Sequence, residues 1–312
     1  MKDYVIGIDI GGTKCAVVLG EAGEADEDCR IFDRECFATE ARRGPDCVIH
    51  DLFGAVRALL GRNDIQTERL QAIGISCGGP LDHIREWLKI RLIYMAGTIF
   101  PIVDIMEKEF RVPVAVENDV NAAALGEAAF GAGQSFRDFL MLTYGTGVGG
   151  AVVMDGGIYT GGSFSAGEVG GMVVHGGQRD AEADIFSGCY ERYASVTALV
   201  NAAGKLDASL TDGRHIFARI GEPQIRETVD SWIDEILYGL ITLIHIFNPP
   251  CVILGGGVMS QTYIIEEIRK KLGKQIMPSF RDVVILPAQL KNTAGLLGAG
   301  KCAEGADTLH GK

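Results

Sequence analysis

Asp9-Ile10-Gly11-Gly12-Thr13-Lys14 closes a short β-branched run, Tyr4 to Ile10, and a second strand pattern, Cys15 to Leu19, follows at once. Such runs read as strands, and the glycines between them permit a tight turn, so this stretch predicts a glycine-tipped hairpin. The arrangement recurs at Gly145-Thr146-Gly147-Val148-Gly149-Gly150, between an apolar run Phe139 to Thr143 and a strand Ala151 to Met154. Two such hairpins, one opening each half, predict a duplicated α/β unit with the ligand held between the copies. A third passage from strand to glycine, Cys251 to Leu254 into Gly255-Gly256-Gly257, follows the helix stop Asn248-Pro249-Pro250.

Working outward, further strands are expected near Arg30 to Phe37, Leu70 to Ser76, Val112 to Val116 and Val283 to Leu286. Apolar periodicity predicts helices over Asp46 to Leu60, Ile102 to Phe110, Asn118 to Phe130, Ile185 to Ala203 and Asp212 to Ile220. Pro223 to Phe247, Gln261 to Leu272 and Thr293 to Ala306 complete the helical set. A chain of 312 residues that is 47% hydrophobic can bury a sizeable core, and its length suits two domains.

A formal net charge of -12, from 29 basic and 41 acidic side chains, argues against nucleic acid and against an anionic membrane surface as partners. Met1-Lys2-Asp3-Tyr4 runs straight into a strand with no leader pattern, and Ile236 to Phe247 is too short to span a bilayer, so a cytoplasmic location is expected. Eight scattered cysteines, none at Cys-x-x-Cys spacing, suggest neither a disulfide framework nor a metal knuckle.

Glycine loops matter because phosphate needs backbone N–H donors at close range, and a β-carbon would hold the chain away. Neither hairpin fits the Walker or dinucleotide pattern, since both precede a strand rather than a helix. Asn118 and Asp119 open a helix at a strand end, where either could serve as a helix cap or project into a ligand site as a base.

Together, Asp9 to Lys14, Glu117-Asn118-Asp119-Val120-Asn121 running on to Glu127, and Gly145 to Gly150 resemble the ROK family of sugar kinases and repressors. Gly188-Cys189-Tyr190-Glu191, Gly255 to Gly257 and Ala294 to Ala299 extend the likeness nearly end to end. The resemblance implies a two-domain, actin-like ATPase (ribonuclease H-like) fold. Residues 1–120 with 292–312 would form the N-terminal α/β domain and residues 121–291 the larger C-terminal one.

It also implies an ATP-dependent hexose kinase, glucokinase-like, phosphorylating glucose or a related hexose or N-acetylhexosamine at the 6-hydroxyl. Asp9, Gly11, Gly12, Thr13 and Lys14 would meet the transferred phosphate, with Mg²⁺ near Asp9; Gly145, Thr146, Gly147 and Gly149 would cradle the other phosphates, and Gly255, Gly256 and Gly257 would border the adenosine. Asp119 would be the general base, and Gly79, Asn118, Asp119, Glu168 and Glu191 would contact sugar. A homodimer or homotetramer is implied as well.

Two stretches depart from the family. Gly171 stands where the family has a His that joins three cysteines at a zinc; Cys189 remains, while Glu182 and Asp184 fall at the other two cysteine positions, so no structural zinc is expected. Ile84 to Pro101 lacks the family's Asn-Pro-Pro-Asn-Leu and Gly-Trp. Codons available to Lys89 to Pro101, read one base earlier, can spell Asn-Pro-Pro-Asn-Leu-His-Gly-Trp-Asp-Asp-Ile-Pro. A compensated pair of frameshifts near Ile84 and Ile102 is one reading of this segment, and an ordinary divergent loop is the other. Three functions follow: an active kinase, a catalytically impaired sugar-binding protein, or a repressor, the last disfavoured because this sequence starts at the first core strand.

Overall fold

The computed structural model describes residues 4–21, 31–78, 81–82, 89–90 and 101–300. In chain order the first strands are β1 (Tyr4–Ile10), β2 (Lys14–Glu21), β3 (Ile31–Ala38), β4 (Leu70–Cys77), β5 (Leu81–Asp82), β6 (Lys89–Ile90) and β7 (Val114–Asn118). They are followed by β8 (Phe139–Tyr144), β9 (Val148–Met154), β10 (Gly157–Ile158), β11 (Cys251–Gly255) and β12 (Val284–Pro287).

Two sheets share one plan. The first runs β3-β2-β1-β4-β7 and the second β10-β9-β8-β11-β12. In each, three antiparallel strands are followed by two that pair parallel. The duplicated α/β unit read from the two glycine hairpins is therefore present in the strand order itself. β5 and β6 form a separate antiparallel ribbon.

The chain divides into two compact units. One comprises Met1–Ser135, Thr160–Ala166 and Asn292–Lys312, the other Phe136–Tyr159 and Gly167–Lys291. Each has its own hydrophobic core. In the first, Val5, Ile6, Gly7 and Ile8 of β1 are all buried, as a central strand covered on both faces requires. α1 (Pro45–Arg62) starts with proline in its first turn, where the missing N–H costs nothing, and buries Val48, Leu52, Val56 and Leu59 along one stripe. α2 (Ile102–Phe110) and α3 (Asp119–Phe130) flank β7 in sequence.

In the second unit, α4 (Glu191–Ala194), α5 (Val196–Gly204) and α6 (Gly213–Ala218) lead to α7 (Pro223–Phe247), with α8 (Thr262–Leu272) between β11 and β12. α7 buries Val229, Trp232, Ile233, Ile236, Leu240 and Leu243, each contributing about 1.5–3 kcal/mol of transfer free energy. Asn248 ends it in the left-handed region at φ 46, and Pro249 prevents continuation. Among the described residues no helix is long and apolar enough to cross a membrane.

The helix expected from Ile185 to Ala203 is a correction. Residues 185–188 are turns, with Gly188 at φ 68, Cys189 bridges Val173, and Ser195 interrupts the rest in an extended conformation, its hydroxyl accepting from the Ala198 N–H at 3.2 Å to cap α5. Trp232 Nε1 donates to the Ala194 and Ser195 carbonyls at 3.0 Å, fixing the break. Residues 294–300 are helical as expected, while the remainder of that expected helix lies outside the described residues.

Residues 294–300 lie directly on the backbone that carries the first unit's polar side chains. A β-carbon on Gly7 of β1 would come within 2.5 Å of the Leu296 carbonyl oxygen, and β-carbons on Gly74 of β4 and Gly126 of α3 would collide with the Ala299 and Ala294 carbonyls. Glycine at these positions lets main chain touch main chain.

Candidate active site

The carboxyl ends of β1, β4 and β7 lie side by side because the three strands are parallel neighbours. Register places Asp9 opposite Ser76 and Ser76 opposite Glu117, with Cys77 opposite Asn118 one step further. This edge of an open α/β sheet is where such folds bind ligands. Ser76 Oγ donates to Asp9 Oδ1 at 3.1 Å, and burial of the Asp9 carboxyl raises its pKa, the Ser76 hydrogen bond and Arg34 opposing the rise. Folding thus creates a desolvated carboxylate at the end of β1.

The hairpin tip after Asp9 is clamped from β3's end. Thr39, 3% exposed, donates its hydroxyl to the Gly11 carbonyl at 2.6 Å and its N–H to the Thr13 carbonyl at 3.0 Å. A side chain on Gly11 would strike the Lys14 carbonyl oxygen at 2.8 Å. Gly12, Thr13 and Lys14 remain exposed.

Asn118 and Asp119 both meet the first turn of α3, Asp119 Oδ1 accepting from the Val120 N–H at 3.0 Å. Asn118 Oδ1 accepts from the Val120 and Asn121 N–H groups at 2.9 and 3.2 Å, so it is the cap of α3. Glu117 supports the corner, its Oε1 accepting from the Asn118 N–H at 2.8 Å and Asn121 Nδ2 at 3.0 Å. Asp119 is exposed in the first turn, where the helix dipole favours its charge. Gly78 supplies no side chain beside it: a β-carbon there would stand 3.7 Å from Asp119 Oδ2.

The second unit gathers the other predicted residues. Carbonyls of its hairpin tip are taken up by the start of α5, Val196 N–H donating to Gly145 O at 2.9 Å and Thr197 Oγ1 to Thr146 O at 2.8 Å. Gly255 pairs with Thr143 on the neighbouring strand, and Gly256, at φ 106, packs its α-carbon on the Tyr144 carbonyl. Gly257, itself exposed, begins a single turn whose Val258 and Met259 are buried. The two glycine runs therefore end adjacent parallel strands, β8 and β11.

Glu191 opens α4 with its carboxylate against the tip: a β-carbon on Gly147 would lie 2.6 Å from Glu191 Oε2, and one on Gly170 3.3 Å from it. Tyr190 anchors the preceding turn, its hydroxyl donating to the Ile236 carbonyl at 2.8 Å and pairing with Tyr144 at 2.8 Å. Glu168 is exposed as a residue, yet its carboxyl is desolvated enough for its pKa to rise, with Glu191's negative charge adding to the effect. Two carboxylates that repel each other across a small space suit ligand hydroxyls, which each can accept.

The donor set does not fit zinc. Gly171 offers no ligand, Asp184 Oδ2 is engaged by Arg192 Nη2 at 2.9 Å, and Cys189 Sγ accepts from Arg179 Nη1 at 3.1 Å. Among the described residues no group of three or more His, Cys, Asp or Glu could hold a metal ion. A desolvated Asp9 with a single hydroxyl partner does fit a share in binding Mg²⁺, which keeps water and phosphate oxygens as its remaining ligands. Gly79, and all of 84–101 except Lys89, Ile90 and Pro101, lie outside the described residues.

Ser76, Thr39, Glu117 and Arg179 were not singled out by sequence. Glu117 and Ser76 could have been, as polar residues ending apolar strands beside Asn118 and Gly78; nothing local marks Thr39 or Arg179.

The ROK family model matches residues 5–305. The chain belongs to the ROK family. A glucokinase of Thermotoga maritima is 31% identical over 316 residues, covering 96% of each chain. Among solved structures, a ROK hexokinase from Thermus thermophilus is 30% identical with a TM-score of 0.80, covering 99% of this chain and all of its own. A ROK glucokinase from Streptomyces griseus, determined with glucose and AMPPNP, is 29% identical with a TM-score of 0.77, covering 96% of this chain and 99% of its own. The fold is the actin-like ATPase fold of ROK sugar kinases, two α/β units on one strand plan.

Proposed function

We propose that the protein is an ATP-dependent sugar kinase acting on a hexose or N-acetylhexosamine at its 6-hydroxyl. The class, a phosphotransferase with an alcohol acceptor, is supported by its ROK relatives, which are glucokinases and hexokinases. The observation that carries the reading on this chain is an exposed carboxylate, Asp119, in the first turn of α3, two steps beyond a desolvated Asp9 and Ser76 on parallel strand ends.

Asp119 takes the proton from the sugar hydroxyl as that oxygen bonds to the γ-phosphorus. The bond from that phosphorus to the β,γ-bridging oxygen breaks, and ADP leaves. Asn118 holds the corner that aims Asp119, and with Gly79, Glu168 and Glu191 contacts the sugar. Gly11 to Lys14 and Gly145 to Gly149 present main-chain donors to phosphate, and Gly255 to Gly257 border the adenosine. Asp9 would share in holding Mg²⁺, which when bound would neutralise charge developing on the phosphate oxygens. A cytoplasmic homodimer or homotetramer belongs to the same reading.

ADP release should appear when purified protein is supplied with MgATP and one member of a panel of hexoses and amino sugars. Asp119→Asn should lower turnover by about 10²–10⁴ and leave nucleotide affinity unchanged; unchanged turnover removes Asp119 from the chemistry. The departure of residues 84–101 from the family pattern favours one second reading, a sugar-binding protein with little turnover. Sugar affinity without sugar-dependent ADP release would select it, and resequencing the coding DNA tests whether frameshifts caused the departure.

A further inference from the structure

The segment that leads into Glu191 is organised around a side-chain cation. Arg179 Nη1 donates to the Ile185 carbonyl at 2.6 Å, the Ser187 carbonyl at 2.8 Å and Cys189 Sγ at 3.1 Å. Three acceptors drawn from five residues of turning chain converge on one nitrogen, the environment a bound cation would create. The next residue reinforces the closure, Asp180 N–H donating to Ser187 Oγ at 2.7 Å. Beneath it, the Val174 and His175 N–H groups share the Gly188 carbonyl at 3.0 Å each, and Tyr190 N–H donates to Met172 O at 2.7 Å. A second guanidinium, Arg192, engages Asp184 at 2.9 Å from the other side.

We propose that Arg179 occupies the organising place that the family resemblance assigns to zinc, and is thereby a positioning residue for Glu191. Two of its acceptors, Ser187 O and Cys189 Sγ, lie within four residues of Glu191, and Cys189 is 1% exposed, so the turn they define is fixed from inside. Gly188, at φ 68 with its α-carbon against the His175 carbonyl, has room for no other residue in this arrangement. The exchange has a chemical logic. Zinc needs deprotonated sulfur and neutral imidazole, so its affinity falls with pH, whereas a guanidinium stays charged at every accessible pH and carries its own five donors. A permanent cation can therefore gather the carbonyls of a loop whose residues offer no zinc ligand set. Only the effect on sugar rests on the kinase reading; the ordering of the loop does not.

The test uses full-length protein with Arg179→Ala and Arg179→Lys, and reads hydrogen exchange of the 185–190 amides beside steady-state kinetics. Arg179→Ala should speed exchange there by about tenfold or more and leave α7 unchanged, with the sugar KM raised about 10–100-fold and the ATP KM unmoved. Lysine, which keeps the charge, should recover most of both. Wild type treated with phenanthroline should keep its exchange pattern. Unchanged exchange at 185–190 in Arg179→Ala, or loss of wild-type protection on chelation, overturns the proposal. If wild type shows no turnover with any sugar, the kinase reading fails and the exchange measurements still decide this one. Should the alanine variant not fold, Arg179→Lys decides: retained protection supports the proposal, and lost protection with a folded α7 overturns it.

Discussion

Asp9 and Glu168 are carboxyls that folding makes harder to ionise, the first by burial and the second by burial with Glu191's charge added. With a folded-state pKa raised above the unfolded value, stability is full below the unfolded pKa and is lost as pH rises from there through the folded pKa. Glu168→Gln should therefore raise the melting temperature at pH 7, and the advantage should vanish as pH falls below the ordinary glutamate value of 4.5, where both side chains are neutral. The same variant should weaken sugar binding. A melting temperature at pH 7 equal to or below wild type would show that neither burial nor Glu191 penalises the Glu168 charge. The site's negative charge also reaches the cysteines. Burial first, then Asp119, Glu117 and Asp9, push the Cys77 thiol up to about 12, and burial pushes Cys251 to about 12. At pH 8 only about 10⁻⁴ of such a thiol is ionised. Iodoacetamide mapping should accordingly find Cys36 and Cys47, both partly accessible, modified well before Cys77 and Cys251. Early labelling of Cys77 would mean that the ends of β4 and β7 open readily.

Among the elements, glycine separates what a sequence can tell from what it cannot. Gly54, exposed in mid-α1, has nothing within 4 Å of an added β-carbon, so Gly54→Ala should gain the helix-propensity difference, about 0.5–1 kcal/mol. Gly298 is also helical, yet its β-carbon would collide with the Ala122 carbonyl. There the intrinsic gain of about 1 kcal/mol is set against overpacking of about 1–3 kcal/mol or more on a rigid backbone atom, and the collision wins. Urea midpoints of the two variants should move in opposite directions, and a stabilising Gly298→Ala would contradict the packing of residues 294–300 on α3. No sequence pattern distinguishes these two glycines, because the difference lies in a partner far away in the chain. The strands were legible for the opposite reason: β-branched runs bounded by glycine identify β1, β2, β8, β9 and β11 from local chemistry alone. Pro223 and Asn248-Pro249 likewise gave α7 its bounds. The break at Ser195 was hidden, since a serine inside an apolar periodic run reads as a tolerated helical residue until Trp232 is found holding the carbonyls beside it. At the site, motif position revealed Asp9, Asp119 and the glycine tips, while Thr39 and Arg179 act through backbone carbonyls of residues brought close only by folding.

For the molecule as a whole, one strand plan used twice carries two kinds of chemistry. The first unit carries Asp9 and Glu117 near the ends of β1 and β7, and the second has glycine at the ends of β8 and β11, with Glu191 against the hairpin tip and Glu168's charge felt by it. Binding should report on each independently, because a ligand that binds only the folded state stabilises it by mass action, about 2.7 kcal/mol at a hundredfold excess over Kd. Hexose and a non-hydrolysable ATP analogue, added separately, should each raise the melting temperature. Asp119→Asn should keep the nucleotide shift, since the role proposed for its carboxylate is at the acceptor hydroxyl, whereas Glu191→Gln, at a proposed sugar contact, should lose most of the sugar shift by giving up half of its hydrogen-bond accepting capacity. Read beside ADP release, the outcomes separate cleanly. Both shifts with turnover support the kinase. A sugar shift without turnover selects the impaired binder. No shift from any hexose or amino sugar, in protein that still binds the nucleotide, removes sugar as the acceptor while leaving the actin-like ATPase fold in place.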